Sequence, residues 1–234
     1  MTSVLMALSA ASHWTLSDGT KHPTGFWAEE FLVPYGIFRD AGYDITIATP
    51  GAVPPTVDDI SLGPGGLVPP WTAKKYREEL AHLAPVLDVP ADLHNIKASE
   101  YDLIFFPGGH GPMEDLAVDP AVGELLNARL RSDKPLALLC HAPAVLLATV
   151  NKQGQSPFAG RKVTALSNRE ELLNSFAKKA PWLLEERLVQ MGVDYSKGKI
   201  PLTPHVVQDC NLFTGQNPQS SKKLAETLVE NLGR

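Results

Sequence analysis

Residues 134–147 read Lys-Pro-Leu-Ala-Leu-Leu-Cys-His-Ala-Pro-Ala-Val-Leu-Leu, and this stretch decides the fold. Its apolar start is typical of a strand buried on both faces, and Pro143 suits the first turn of a helix. A strand that turns directly into a helix projects Cys140 at the carboxyl edge of a sheet. Because helix N-termini lower thiol pKa values, we expect Cys140 to be an acidic nucleophile with His141 beside it. A buried structural cysteine is the alternative.

Apolar runs and helical periods alternate along the rest of the chain. Short runs predict strands at 4–8, 44–49, 103–106, 136–139, 162–166 and 212–214. Helical spacing predicts helices at 26–41, 73–83, 120–131, 143–150, 168–177, 181–191 and 220–232. The alternation predicts an α/β fold, a three-layer α/β/α sandwich around a flavodoxin-like, mostly parallel sheet. We expect a single domain over residues 1–234, with a Pro/Gly-rich lid or insertion at about 50–100.

The composition argues against several classes of protein. The chain has 234 residues, of which 44% are hydrophobic, enough for one sizeable core. A net charge of −5 without a basic block argues against nucleic-acid or anionic-membrane partners. Two cysteines exclude a disulfide scaffold. The apolar stretch 136–150 is too short and polar to span a bilayer. No Lys or Arg precedes Lys21, so a secretion signal is not indicated, and we expect a cytoplasmic protein.

A glycine-rich turn follows the predicted strand 103–106. It contains Gly108 and Gly109, and adjacent glycines let backbone N–H groups approach a ligand closely. Such N–H groups can stabilise an oxyanion. A tight turn with no further role explains the same residues.

Two acidic pairs lie on predicted helices. In the pair Glu29 and Glu30, only one side chain can face the sheet edge, and Glu30 lies beside the apolar stripe. Partial burial would raise the pKa of Glu30 into the range of acid/base catalysis, although a solvated helix acid is the commoner case. In the pair Glu170 and Glu171, the carboxylates complement a helix N-terminus, or one of them orients His141.

Cofactor signatures are not found in the sequence. It contains no zinc-binding or nucleotide-binding spacing, and five histidines are scattered: His13, His22, His82, His94 and His205. We interpret Cys210 as a structural residue in the turn of a hairpin. We therefore expect neither a metal nor an organic cofactor.

Taken in order, the motifs resemble the ThiJ/PfpI branch of the class I glutamine amidotransferase-like superfamily over nearly the whole chain. The motifs are Ser17-Asp-Gly19, Thr24-Gly-Phe-Trp-Ala-Glu-Glu-Phe-Leu-Val-Pro34, Ser61-Leu-Gly-Pro64, Tyr101-Asp-Leu-Ile-Phe-Phe-Pro-Gly-Gly-His-Gly111, Cys140-His-Ala-Pro143, Ser167-Asn-Arg-Glu-Glu171, Pro181-Trp-Leu-Leu-Glu-Glu-Arg187 and Thr214-Gly-Gln-Asn-Pro218. The set is most similar to the subgroup of glutathione-independent glyoxalase III enzymes and stress-induced holding chaperones. One departure is Cys210, where the family pattern implies glycine.

The resemblance implies a role for individual residues. Cys140 matches the family nucleophile, and Glu30 matches the acid that contacts its sulfur. His141 matches the catalytic histidine, and Glu171 matches the acid that pairs with it, with Glu170 as the alternative if the register differs by one.

The family's oxyanion hole maps onto the backbone N–H groups of Gly109 and His141. The resemblance implies a cofactor-independent, glyoxalase III-like lyase of the D-lactate dehydratase type. Its substrate would be methylglyoxal or a similar small 2-oxoaldehyde, converted through a Cys140 hemithioacetal to a 2-hydroxy acid. Relatives also imply a homodimer.

Two other functions remain open from the residues. Cys140, His141 and Glu171 would equally serve a cysteine amidase or peptidase of the PfpI type. A holding chaperone or a thiol redox sensor is the third possibility, because an exposed acidic thiol oxidises readily. A glutamine amidotransferase fits less well, since the residues that flank Cys140 lack the glycines of that elbow.

Overall fold

A seven-stranded sheet runs through the middle of the structure, a computed structural model that describes residues 1–233. The strands are β1 (Ser3–Ala7), β2 (His13–Thr15), β3 (Lys21–Pro23), β4 (Asp44–Thr49), β5 (Ala91–Asp92), β6 (Leu103–Phe106), β7 (Leu136–Leu139), β8 (Lys162–Val163), β9 (Asp194–Tyr195), β10 (Val206–Asp209) and β11 (Leu212–Gly215). The sheet order is β10-β11-β7-β6-β1-β4-β5, and only the β10–β11 pair is antiparallel. Two small two-stranded sheets join β2 to β3 and β8 to β9.

Helices cover both faces of this sheet. They are α1 (Ala28–Asp40), α2 (Pro70–Leu87), α3 (Gly111–Glu114), α4 (Pro120–Leu130), α5 (Asn168–Glu171), α6 (Leu184–Met191) and α7 (Ser221–Leu232). The helices α1, α2 and α7 pack on one face, and α4 and α6 pack on the other. The expected three-layer α/β/α architecture is thus confirmed. No helix within residues 1–233 combines the length and the apolar character needed to cross a membrane.

Side chains of the central strands alternate between two separate cores. In β1, Leu5 and Ala7 face one core, whereas Val4 and Met6 face the other. In β7, residues 136 and 138 face the first core, and residues 137 and 139 face the second. Successive side chains of a strand point to opposite faces, so a sheet covered on both sides needs continuous apolar runs. This requirement is why the sequence identifies these strands well.

Three predicted elements are wrong in extent or type. The predicted strand 162–166 is only the two-residue β8, which pairs with β9 outside the main sheet. The predicted helix 143–150 is a 3₁₀ helix, Ala142–Thr149. The predicted helix 168–177 is α5 followed by a separate 3₁₀ turn, Ser175–Lys179. The helix α5 is a single turn, with Ser167 and Glu170 forming a capping box.

The Pro/Gly-rich segment lies beside the carboxyl edge of the sheet. It forms three 3₁₀ turns, Pro50–Ala52, Asp59–Leu62 and Pro64–Gly66, before α2 begins. A Cβ atom on Gly66 would lie 2.6 Å from the Ile60 carbonyl oxygen and 2.8 Å from Cζ2 of Trp27. Only glycine therefore lets this segment pack so closely against Trp27, and its role as a lid stays a prediction.

Candidate active site

Cys140 occupies a sharp turn at the carboxyl end of β7. Its φ angle is +60°, a left-handed conformation that is uncommon for residues other than glycine. The Cys140 N–H donates to the Gly215 carbonyl oxygen at 2.8 Å, and the Leu166 N–H donates to the Cys140 carbonyl oxygen at 3.0 Å. These two bonds hold the strained turn from both sides. Strain of this kind is often found at functional sites, and the predicted elbow is present.

Glu30 of α1 lies against the same turn. Its side chain is fully buried, and its Oε2 accepts a hydrogen bond of 2.7 Å from the Gly108 N–H. A Cβ atom on Gly108 would lie 2.7 Å from that oxygen and 2.8 Å from the His141 nitrogen, so only glycine fits between them. The neighbouring Glu29 is only partly buried. The structure thus turns Glu30, rather than Glu29, toward Cys140.

Burial couples the protonation of Glu30 to that of Cys140. Burial raises the pKa of Glu30 from 4.5 to about 8, although hydrogen bonds with Cys140 and Gly108 oppose the shift. Its Oε1 is buried and has no hydrogen-bond partner among residues 1–233, a costly arrangement for an ionised carboxylate. A pKa of about 8 means that Glu30 is mostly protonated near neutral pH.

Burial opposes the acidity expected for the Cys140 thiol. Burial raises the pKa of Cys140 well above its usual value, and the negative charge of Glu30 raises it further. Cys140 is only 3% exposed, so an ionised sulfur would lose most of its contact with water. Cys140 and Glu30 consequently titrate as a coupled pair, and ionisation of one opposes ionisation of the other.

His141 connects the thiol to Glu171. Its Nδ1 lies 3.4 Å from the Cys140 Sγ, and its Nε2 is hydrogen-bonded to Glu171 Oε2. A carboxylate accepts and cannot donate, so Nε2 carries the hydrogen and Nδ1 is left to accept from the thiol. Burial lowers the pKa of His141, so its ring is neutral near pH 7 and can take a proton.

The structure also decides between the two glutamates of α5. Glu171 contacts His141, whereas Glu170 points away from it. Glu170 accepts hydrogen bonds of 2.7 Å from Gln216 Nε2, 2.8 Å from Asn217 Nδ2 and 2.8 Å from the Leu202 N–H. Glu170 therefore holds the surrounding loops in place, and the register with Glu171 as the partner of His141 is the one the geometry favours.

His110 is a site residue that the sequence interpretation missed. Its Nε2 lies 2.8 Å from Glu171 Oε1, and its ring centre lies 4.0 Å from that of His141. The ring stacks on Trp14 at 5.0 Å. Although burial opposes it, the charge of Glu171 raises the pKa of His110. The available signal was the position of His110 directly after the glycines that follow β6, at the sheet edge where Cys140 also lies.

Two histidines share one carboxylate in this arrangement. Burial alone would raise the pKa of Glu171, but His110 and His141 together hold it well below its usual value. The donor atoms of the three side chains lie within 4.8 Å of one another, close enough in principle to share a metal ion. Both Nε2 atoms already donate to Glu171, however, and an ion would have to displace both hydrogen bonds. We therefore interpret the cluster as a hydrogen-bond network.

The two backbone amides predicted to form an oxyanion hole are both next to Gly108. Gly109 follows it in the chain, and the His141 nitrogen would lie 2.8 Å from a Cβ atom on Gly108. Gly109 has a φ of +92°, and a Cβ atom there would lie 2.2 Å from the Gly25 carbonyl oxygen. Among the described residues, neither the Gly109 N–H nor the His141 N–H donates to another protein group. Both amides remain available for a ligand, so their role stays a proposal.

A pocket of about 340 Å³ opens above Cys140. It is lined by Trp27, Gly65, Gly66, Leu67, His110, Cys140, His141, Leu166, Glu170, Leu173, Asn174, Leu202, Pro218 and Gln219. Its floor is the thiol and the two histidines, and its walls are mostly apolar. Pockets of ~300–1,000 Å³ commonly hold small-molecule ligands.

The second cysteine and most other histidines lie away from this pocket. Cys210 is exposed in the β10–β11 hairpin turn, with a φ of +50°, so the predicted hairpin is confirmed. His94 pairs with Asp119 at 2.7 Å on the surface, and His13 lies 3.6 Å from Glu114. His22 stacks on Phe176. None of these residues lines the pocket.

Comparison with known proteins gives a consistent result. The model of the DJ-1/PfpI family matches residues 23–231. The protein/nucleic acid deglycase HchA of Pseudomonas aeruginosa is 29% identical over 249 residues, covering 99% of this chain and 82% of that protein. The solved structure of glyoxalase III from Candida albicans has a TM-score of 0.81 and 26% identity, covering 98% and 96% of the two chains. That of Rapid Encystment Protein from Francisella tularensis has a TM-score of 0.84 and 26% identity, covering 99% of both. The chain therefore belongs to the DJ-1/PfpI family.

Proposed function

We propose that this protein is a glutathione-independent, glyoxalase III-type enzyme that converts methylglyoxal, or a similar 2-oxoaldehyde, to a 2-hydroxy acid. One observation carries the proposal. The Cys140 thiol lies at a pocket floor between a protonated acid, Glu30, and a neutral histidine, His141, whose Nδ1 is 3.4 Å from the sulfur. An aldehyde isomerisation needs one nucleophile and two groups that exchange protons, and these three residues supply them.

The first step is addition of Cys140 to the aldehyde. As the Sγ–C1 bond forms, the thiol proton passes to His141 Nδ1, so a free thiolate is not required beforehand. The aldehyde oxygen becomes an alkoxide, which the amides of Gly109 and His141 are placed to stabilise. Return of the proton to this oxygen gives the neutral hemithioacetal.

The second step moves hydrogen from C1 to C2. A base removes the C1 proton while the C2 oxygen gains one, which gives an enediol. Delivery of a proton to C2 and loss of the C1 hydroxyl proton then give the Cys140 thioester of the 2-hydroxy acid. Glu30 and His141 are the groups within reach for these transfers. Water finally breaks the Sγ–C1 bond and restores the thiol. One 2-oxoaldehyde and one water give one 2-hydroxy acid, with no external oxidant or reductant.

The comparisons support this proposal through the proteins they name. The Candida albicans relative is a glyoxalase III, and the Pseudomonas aeruginosa relative is a protein/nucleic acid deglycase. For this chain the lyase reaction, a D-lactate product, a homodimeric assembly and a cytoplasmic location are likewise proposals. Light scattering of the purified protein tests the homodimer, and a chiral lactate assay tests the stereochemistry.

A substrate panel distinguishes the proposed lyase from an amidase. Methylglyoxal and chromogenic peptide amides are offered to the wild-type protein, to Cys140→Ser and to Cys210→Ser. We expect lactate from methylglyoxal with the wild type and Cys210→Ser, no lactate with Cys140→Ser, and no amide cleavage. Cys140-dependent amide cleavage without lactate would replace the lyase by a cysteine amidase. Client protection that survives Cys140→Ser, without lactate, would favour a holding chaperone.

A further inference from the structure

The walls of the pocket above Cys140 are apolar where the rest of a substrate would lie. Leu166 is 8% exposed, and Leu173 is 66% exposed at the mouth. Leu67, from the Pro/Gly-rich segment, is 67% exposed at another side of the mouth, and Leu202 completes the set. Exposed leucines gathered around one pocket are an apolar surface that a ligand can cover.

Two of these leucines have an unusual backbone conformation. Leu67 has a φ of +59° and Leu202 a φ of +58°, both in the left-handed region that side chains other than glycine rarely adopt. Hydrogen bonds hold both of them. The Leu202 N–H donates to Glu170 Oε1 at 2.8 Å, and the Leu67 N–H donates to the Pro64 carbonyl oxygen at 3.0 Å. Strained residues held in this way cluster at ligand-binding sites, and here two of them line one pocket.

The charged groups around the pocket disfavour an anionic substrate. No lysine or arginine lines the pocket within the described part of the chain. The ionised acids near its floor are Glu170 and Glu171, and His110 is the one neighbouring group with a raised basicity. A phosphate or carboxylate on the substrate would therefore enter an apolar space beside two carboxylates, where the one basic group, His110, is already hydrogen-bonded to Glu171.

We propose that Leu67, Leu166, Leu173 and Leu202 form a subsite for a neutral, apolar substituent on C2 of the 2-oxoaldehyde, larger than the methyl group of methylglyoxal. This inference rests on the proposed function. The aldehyde carbon lies at Cys140, and the substituent extends toward the mouth between the leucines. A volume of about 340 Å³ leaves room for an aryl group beyond the reacting carbons. Anionic 2-oxoaldehydes are poor substrates.

The test compares three substrates by the 2-hydroxy acid that each yields. Methylglyoxal gives lactate, phenylglyoxal gives mandelate, and the phosphate ester of hydroxypyruvaldehyde carries the negative charge. We expect kcat/KM for phenylglyoxal to exceed that for methylglyoxal by on the order of tenfold, since apolar groups in a fitting pocket contribute at least that much. The phosphate ester should be slower than methylglyoxal. Cys140→Ser gives the background, because phenylglyoxal also modifies arginine side chains.

Substitutions of Leu173 and Leu202 test whether these side chains cause the preference for phenylglyoxal. Leu173→Asn changes an exposed side chain, and Leu202→Asn keeps the branching of the side chain while asparagine tolerates the left-handed conformation, so both should fold. Each should lower the phenylglyoxal-to-methylglyoxal ratio of kcat/KM severalfold. Leu172→Asn is the control, because Leu172 is 47% exposed beside Leu173 but does not line the pocket. It should leave the ratio unchanged.

The outcomes separate this inference from the proposed function. Lactate formation with equal or slower mandelate formation would overturn the apolar subsite and leave the glyoxalase proposal standing. The same holds for a preference that Leu173→Asn and Leu202→Asn do not alter. If the wild-type protein forms neither acid, both the proposed function and the subsite are wrong.

Discussion

His110 and Glu171 are joined by a hydrogen bond of 2.8 Å, from Nε2 to Oε1, while the second oxygen of Glu171 bonds to His141. One buried carboxylate thus accepts hydrogen bonds from two imidazole rings. Glu171 raises the pKa of His110, whereas burial, together with the neighbouring His110, lowers the pKa of His141. His110, which does not touch the thiol, therefore contributes to the protonation of His141, which does.

Replacement of His110 should shift the pH dependence of turnover. In His110→Phe, the charge of Glu171 acts on His141 alone, so the pKa of His141 rises. Activity requires neutral His141 and is lost as pH falls through that pKa, so the acid limb of kcat should move up by about one unit. The other titratable groups that act on these rings, Asp58 and His22, are unchanged in the variant.

His110→Gln is the matched control for that experiment, because its amide can still donate to Glu171. We expect it to recover part of the turnover lost in His110→Phe, where the loss is on the order of 10- to 100-fold. If both variants kept the wild-type pH profile, His110 would have only a packing role against Trp14.

The coupling of Glu30 and Cys140 predicts a slow thiol rather than a reactive one. In a Cys210→Ser background, alkylation of Cys140 by iodoacetamide should follow an apparent pKa above the ordinary value of about 8.5. Adding Glu30→Gln removes the repelling charge and should lower this pKa. The rate is measured from pH 5 to pH 10. A Cys140 pKa well below neutrality would restore the interpretation of a thiolate activated by the helix N-terminus.

Ionisation of Glu30 should destabilise the protein as the pH rises. Its pKa is about 8 in the folded protein and near 4.5 in the unfolded chain. Between pH 4.5 and about pH 8, Glu30 is protonated in the folded protein and ionised in the unfolded chain, so unfolding releases a proton. The stability that Glu30 contributes below pH 4.5 is therefore lost by about pH 8. The loss is at most about 5 kcal/mol, from 1.36 kcal/mol for each unit of pKa.

Urea unfolding of the wild type and Glu30→Gln measures this loss. The free energy of unfolding of the wild type should fall relative to the variant from pH 5 to pH 8.5. Parallel curves would mean that Glu30 does not titrate in this window.

Single substitutions should separate proton transfer from orientation. Glu30→Gln and His141→Ala should each lower kcat for methylglyoxal by on the order of 10²–10⁴-fold, because each removes a group proposed to move a proton. Glu171→Gln should lower kcat by a smaller factor, because the Glu171 side chain orients His141 and does not reach the substrate. Steady-state lactate formation measures all three variants. An effect of Glu171→Gln larger than that of His141→Ala would contradict this division of roles.

The sequence predicted the elements whose side chains are buried on both faces. The strands 44–49, 103–106 and 136–139 match β4, β6 and β7, because each apolar run has a core on either side. The predicted strand 162–166 failed because residues 164–166 are buried without pairing to a neighbouring strand. The Leu166 N–H, for example, bonds to the Cys140 carbonyl oxygen. Burial without strand pairing leaves the same apolar pattern.

Site residues could be predicted from the sequence where a motif places them on a particular strand, turn or helix. Cys140 and His141 follow from the elbow, whereas Glu30 was assigned a role by the family resemblance and Glu171 and Glu170 could not be separated by spacing. His110 was missed because the glycines of its turn explain that turn without any role for the His110 side chain. Burial, which reverses the expected pKa shift of the thiol, depends on contacts far apart in the chain. The sequence pattern does not contain those contacts.

Counting product per protein tests the central claim most directly. Purified protein free of glutathione is treated with a chelator, given excess methylglyoxal, and the lactate formed is measured per mole of protein. Stoichiometric scavenging by thiols, lysines or arginines consumes aldehyde without yielding lactate. We expect many equivalents of lactate from the wild type and from Cys210→Ser, and none above background from Cys140→Ser. Loss of aldehyde with no lactate, or equal lactate from Cys140→Ser, would contradict a Cys140-dependent glyoxalase reaction.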